Sequence, residues 1–92
     1  MLFRSKFDSA YIFFERAVKE SPMDKTAVTN LVVASFNSGK IDIAIATGEN
    51  AVNNGLGNAK IYNLLSLAYE SKGDKARADK YRNLYNINPM AN

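Results

Sequence analysis

Apolar residues recur along this chain with the spacing of an α-helix. Phe7, Ala10, Tyr11, Phe14, Ala17 and Val18 fall at i, i+3, i+4, i+7, i+10 and i+11, a single stripe that predicts a helix from about Lys6 to Glu20. Ser5 with Asp8 three residues later resembles a capping box at its start, and Pro22, which lacks an amide hydrogen and restricts Ser21, stops it. Asp24 is a candidate N-cap for a second helix, where Val28, Leu31, Val32 and Ser35 repeat the spacing until Ser38-Gly39. A third helix carries Ile41, Ala44, Ile45, Ala51 and Val52 and runs into Asn53-Asn54-Gly55-Leu56-Gly57, a break and not a phosphate cradle. Asn58 heads a fourth helix with the stripe Tyr62, Leu65, Ser66 and Tyr69. Lys72-Gly73-Asp74 then turns the chain into a fifth, capped by Asp74 and carrying Ala78, Tyr81 and Tyr85, before Asn88-Pro89 closes it. The expected class is all-α with five helices, and the short connections predict antiparallel neighbours that stack as helical hairpins.

The stripes also repeat at long range. Ala10, Ala44 and Ala78 lie 34 residues apart (44 − 10 and 78 − 44), and Leu31 with Leu65, Val28 with Tyr62, Ala34 with Ala68 and Gly39 with Gly73 share that offset. Self-similarity at such a period is the signature of a helical repeat array.

On these residues the chain resembles the tetratricopeptide repeat family over nearly its whole length. Leu31, Gly39, Ala44 and Ala51 match the family's positions in one unit, and Tyr62, Leu65, Tyr69, Gly73 and Ala78 match them in the next. Ala10, Phe14, Ala17 and Pro22 match the second half of an earlier unit whose first half is missing. The resemblance implies a short right-handed α-solenoid forming a single domain over 1–92, with a half repeat at 5–22 and full repeats at 25–57 and 59–90. Departures are informative. Gly48 stands where Phe14 does, which predicts a lost packing side chain and a mid-helix glycine costing roughly 1 kcal/mol against alanine. Leu56 replaces the repeat proline, while Arg82 and Tyr85 in the last helix suit a carboxy-terminal cap.

Function follows from the same resemblance. Such arrays bind peptides on a concave wall made by the first helix of each unit, which here implies Thr26, Thr29, Val33, Phe36 and Asn37 with Lys60, Asn63, Leu67, Glu70 and Ser71. Val33, Phe36 and Leu67 suit an apolar anchor, and Asn37, Lys60 and Asn63 suit peptide backbone or a carboxylate; the alternative is that the apolar members pack along the neighbouring helix. One subtype grips the terminal carboxylate of chaperones. Asn30 and Lys60 match two of its positions, but Leu64 sits where a basic residue is needed. The amino-terminal helix offers a second surface, because Phe7, Tyr11 and Phe14, with Phe3 and Phe13 nearby, make it rich in aromatics. Its candidate covers are upstream residues of a longer parent, a second copy giving a homodimer, or the segment Met1 to Arg4 folding over it.

Composition narrows the classes further. With no cysteine and no histidine, the commonest thiol nucleophile, metal ligand and general base are absent. Glu15 with Lys19 and Glu49 with Asn53 have helix-surface spacing, so neither catalysis nor a cofactor or metal is expected. Lys72, Lys75, Arg77, Lys80 and Arg82 form a basic run in a chain of net charge +3, but Asp74 and Asp79 interrupt it. That reads as a solvated face, with neither nucleic acid nor membrane expected as partner. The run Tyr11-Ile12-Phe13-Phe14 is too short to span a bilayer, and no signal peptide is readable, so a soluble protein is expected. The expected function is a non-enzymatic interaction module for a protein or peptide, with homo-oligomerisation through the first helix as the alternative.

Overall fold

A computed structural model describes residues 6–87, with side chains from Asp8 onward. All regular structure among them is helical: α1 (Lys6–Glu20), α2 (Lys25–Asn37), α3 (Ile41–Asn53), α4 (Ala59–Ser71) and α5 (Lys75–Ile87). Ser5, Asn88 and Pro89 lie outside the described residues.

Local chemistry explains most of the boundaries. The side chains of Asp24, Asn58 and Asp74 accept hydrogen bonds from the amides of Ala27, Ile61 and Arg77 at 3.2, 2.9 and 3.1 Å, each satisfying a donor of the first turn. Three helices stop in the same way. Gly39, Gly55 and Gly73 adopt φ of 78, 77 and 79°, and each donates to the carbonyl three residues back, in Phe36, Val52 and Glu70. The following residues, Lys40, Leu56 and Asp74, donate to Ser35, Ala51 and Tyr69, completing the paired bonds of the Schellman motif.

Each helix packs on its sequence neighbour, and α2 also packs on α4. Val28, Val32, Ala44, Ala51, Ile61, Leu65, Tyr69, Ala78 and Tyr81 form one core from α2 to α5, with Val18 of α1 at its margin. Of the expected stripes, Val28 and Val32 of α2 and Ala78 and Tyr81 of α5 belong to this core; Leu31 and Ser35 are also buried, whereas Tyr85 is half-buried. In α4 the stripe is wider than the spacing predicts: Ile61, beside the expected Tyr62, is fully buried, and Tyr62 is half-buried.

Gly48 departs from the expectation. It is buried, and a Cβ placed there would stand 2.9 Å from Leu65 Cδ2 and 3.0 Å from Leu65 Cγ. No packing volume is lost at this point. The leucine of α4 occupies the space a side chain would take, so the glycine permits close approach between the helices.

Candidate functional site

The starts of α2 and α4 lie side by side because Asn58 has two roles. Its carbonyl oxygen caps α4, and its amide nitrogen donates to Thr29 Oγ of α2 at 3.0 Å. Beside this link opens a recess of about 260 Å³ lined by Lys25, Thr26, Thr29, Asn30, Asn58 and Lys60. It contains two ammonium groups, two hydroxyls and two amides, and none of its lining side chains is acidic. Such a set donates hydrogen bonds and offers positive charge, the chemistry that receives carboxylate or peptide carbonyl oxygens.

The structure brings together Thr26, Thr29 and Lys60 of the sequence-derived groove and adds Lys25, Asn30 and Asn58 to them. The other groove positions are distributed along the two helices. Asn37, Asn63, Leu67, Glu70 and Ser71 are exposed, and Val33 is half-buried. Phe36 is half-buried with its side chain packed against the core, and so is Leu64. Glu70 is already engaged, accepting from Arg82 at 2.7 Å.

The amino-terminal helix is only partly covered. Tyr11 and Phe14 are half-buried; the Tyr11 hydroxyl donates to Glu15 at 3.0 Å, and Lys40 Nζ lies 5.2 Å from the centre of its ring. Burial and the neighbouring Glu15 carboxylate push the Tyr11 hydroxyl above its ordinary pKa. Phe13 is 66% exposed and meets Phe14 edge to face, with centroids 5.2 Å apart. Phe3 and the Phe7 side chain lie outside what is described.

Glu49 corrects a sequence reading. It does not lie on a free helix surface but accepts from the hydroxyls of Tyr69 at 2.5 Å and Tyr81 at 3.2 Å, tying α3 to α4 and α5. The two tyrosine rings are parallel with centroids 6.0 Å apart, and the Arg77 guanidinium lies 5.8 Å from the Tyr69 ring centre. Burial, reinforced by the Glu49 carboxylate, raises both hydroxyls, Tyr81 to about 12. They are therefore neutral donors over the whole physiological range. Spacing gave no sign of this, because the partners are 20 and 32 residues away.

The basic run is engaged throughout. Lys72 pairs with Asp42 at 2.6 Å, Lys75 with Asp79 at 3.4 Å, and Arg77 with Asp74 at 2.6 Å. Arg82 meets Glu70 and Asp79 at 2.7 and 3.3 Å, and Lys80 Nζ lies 5.2 Å from the Tyr81 ring centre. Hydrogen bonds from the Arg77 amide and guanidinium hold the Asp74 carboxyl below its ordinary pKa. Among the described residues, no cluster of acidic side chains is arranged to hold a metal ion, and no helix is long and apolar enough to cross a membrane. Comparison of the chain with protein-family models, curated proteins and solved structures finds no match in any of the three.

Proposed function

We propose that this chain is a non-enzymatic interaction module, a short right-handed solenoid of about two and a half tetratricopeptide-type units that holds a peptide or protein segment against α2 and α4. Several observations support the architecture. Four pairs of positions 34 residues apart share their fates: Leu31 and Leu65 are buried, as are Ala34 with Ala68 and Ala44 with Ala78, while Gly39 and Gly73 end their helices with one backbone conformation. The contact of α2 with α4 also fits stacked antiparallel hairpins whose first helices form the inner wall.

One observation carries the functional reading: a recess of about 260 Å³ between the starts of α2 and α4, lined by two lysines and four neutral polar residues. An extended peptide with an acidic side chain or terminal carboxylate at this end matches that lining, and exposed Leu67 further along α4 suits an apolar side chain of the same ligand. The test is a nuclear magnetic resonance titration with a mixed library of short peptides ending in free carboxylates, repeated with the amidated library. Shifts clustered at Thr26, Thr29, Asn30, Asn58 and Lys60, weakened by amidation and lost in Lys60→Glu, are expected. Shifts scattered over the surface or unaffected by Lys60→Glu would refute the reading.

The exposure of Phe13 favours a second reading, homo-oligomerisation through α1. Light scattering across a concentration series tests it, since a dimer that Phe13→Asp dissociates is its necessary result.

A further inference from the structure

The turn that closes α3 carries an asparagine followed by a glycine, Asn54 and Gly55, and no other asparagine in the chain precedes a glycine. That pairing has its own chemistry, because glycine has no side chain to shield its nitrogen from the carboxamide of the residue before it. Asn53, Asn54 and Gly55 are all exposed, and a Cβ placed on Gly55 would meet nothing within 4 Å, so water and hydroxide have access to the turn.

In its closed form the turn holds the two groups apart. Asn54 has ψ of 11°, which nearly eclipses the Gly55 nitrogen with the Asn54 nitrogen and turns it away from Asn54 Cβ. A five-membered ring through Cβ, Cγ and the Gly55 nitrogen needs the opposite, with Cβ and that nitrogen on the same side of the Cα–C bond. The Gly55 amide proton is also engaged, donating to Val52 at 3.1 Å, and the Leu56 amide donates to Ala51 at 2.8 Å. Leu56 is half-buried against the core and so holds the turn in this state.

We infer that Asn54 is a spontaneous modification site, converted to aspartate and isoaspartate through local opening of the turn between α3 and α4. In the open turn the Gly55 nitrogen gives up its proton to hydroxide and attacks Asn54 Cγ. A C–N bond forms as the bond from Cγ to Nδ2 breaks, and Nδ2 leaves as ammonia, taking its last proton from water. Water then adds to one of the two carbonyls of the resulting succinimide and cleaves its bond to nitrogen. Cleavage at the Cγ carbonyl leaves aspartate, and cleavage at the main-chain carbonyl leaves isoaspartate. One water is consumed and one ammonia released, with no change of oxidation state.

Both products alter the turn. Each puts a carboxylate at the C-cap of a helix whose last turn holds no basic residue, where the carbonyl ends already present negative charge. Isoaspartate also adds a methylene to the main chain, so the Gly55 and Leu56 amides lose their register with Val52 and Ala51. The inference does not depend on peptide binding by the α2–α4 recess.

The test is to incubate the full chain at physiological temperature, at neutral and at raised pH, and to locate the new acid by peptide mass mapping and by labelling with isoaspartyl methyltransferase. A synthetic peptide of residues 50–58, too short to hold the turn closed, gives the unrestrained rate. Conversion at Asn54 ahead of every other asparagine is expected, faster at raised pH and several-fold slower than in the peptide. Leu56→Ala should accelerate it several-fold in the chain and leave the peptide rate unchanged. In the converted chain the Leu56 amide should lose its protection from exchange. Earlier conversion of another asparagine, no conversion at Asn54 over many peptide half-lives, a rate equal to that of the peptide, or indifference to Leu56→Ala would overturn the inference.

Discussion

The two terminal helices, α1 and α5, meet the rest of the molecule on different terms. In α5 the inner positions Ala78 and Tyr81 are buried, and Arg82, in register with Phe14 and Gly48, pairs with Glu70 and Asp79. In α1 no described side chain is buried, although its apolar residues outnumber those of α5. Apolar content therefore does not decide which helix is integrated; a partner of complementary shape does. At the place where α5 carries the buried Tyr81, α1 carries the exposed Phe13.

The contrast breaks most readily at the core. Leu65→Ala, on α4, should cost about 2–5 kcal/mol in urea unfolding, whereas Phe13→Ala on α1 should stay within about 0.5 kcal/mol. Gly48→Ala sharpens it. Alanine gains roughly 1 kcal/mol of helix propensity, but its methyl would press on Leu65, and overpacking costs about 1–3 kcal/mol, so net destabilisation is expected. In a Leu65→Ala background the same change should become stabilising, and additivity of the two would refute close approach as the role of this glycine.

The tyrosine–glutamate tie comes next. Tyr69 and Tyr81 hold their protons more tightly in the fold than in the unfolded chain, where tyrosine titrates near 10. Their contribution is thus complete below about pH 10 and is lost as pH rises toward about 12, the folded value of Tyr81. Urea midpoints should fall across that window, and Tyr81→Phe should flatten the fall. The same substitution should cost about 1 kcal/mol at neutral pH, the usual value of one hydrogen bond. The smallest effect is expected at the surface, where Arg82→Ala should change stability by about 0–1 kcal/mol, and less at high salt.

What could be read from the chain divides along physical lines. The five helices, three caps and three glycine termini were legible because residues within a turn or two of each decide them. Ile61 was missed in favour of Tyr62 because a period of 3.6 leaves the rotation of a helix open by about one residue. Gly48 was misread because a missing side chain does not say what fills its place. Glu49 was misread because its partners are on other helices. The recess shares this long-range character. Thr26, Thr29 and Lys60 follow from register, but Asn58 joins them only because α4 lies against α2.

Native-state hydrogen exchange tests most directly the claim that α5 is integrated with its neighbouring helix while α1 is less so. The central amides of α4 and α5, around Leu65 and Tyr81, should exchange only through global unfolding, while those of α1 around Phe13 should exchange through a local opening of lower free energy. Equal protection of α1 and α5 would contradict the account.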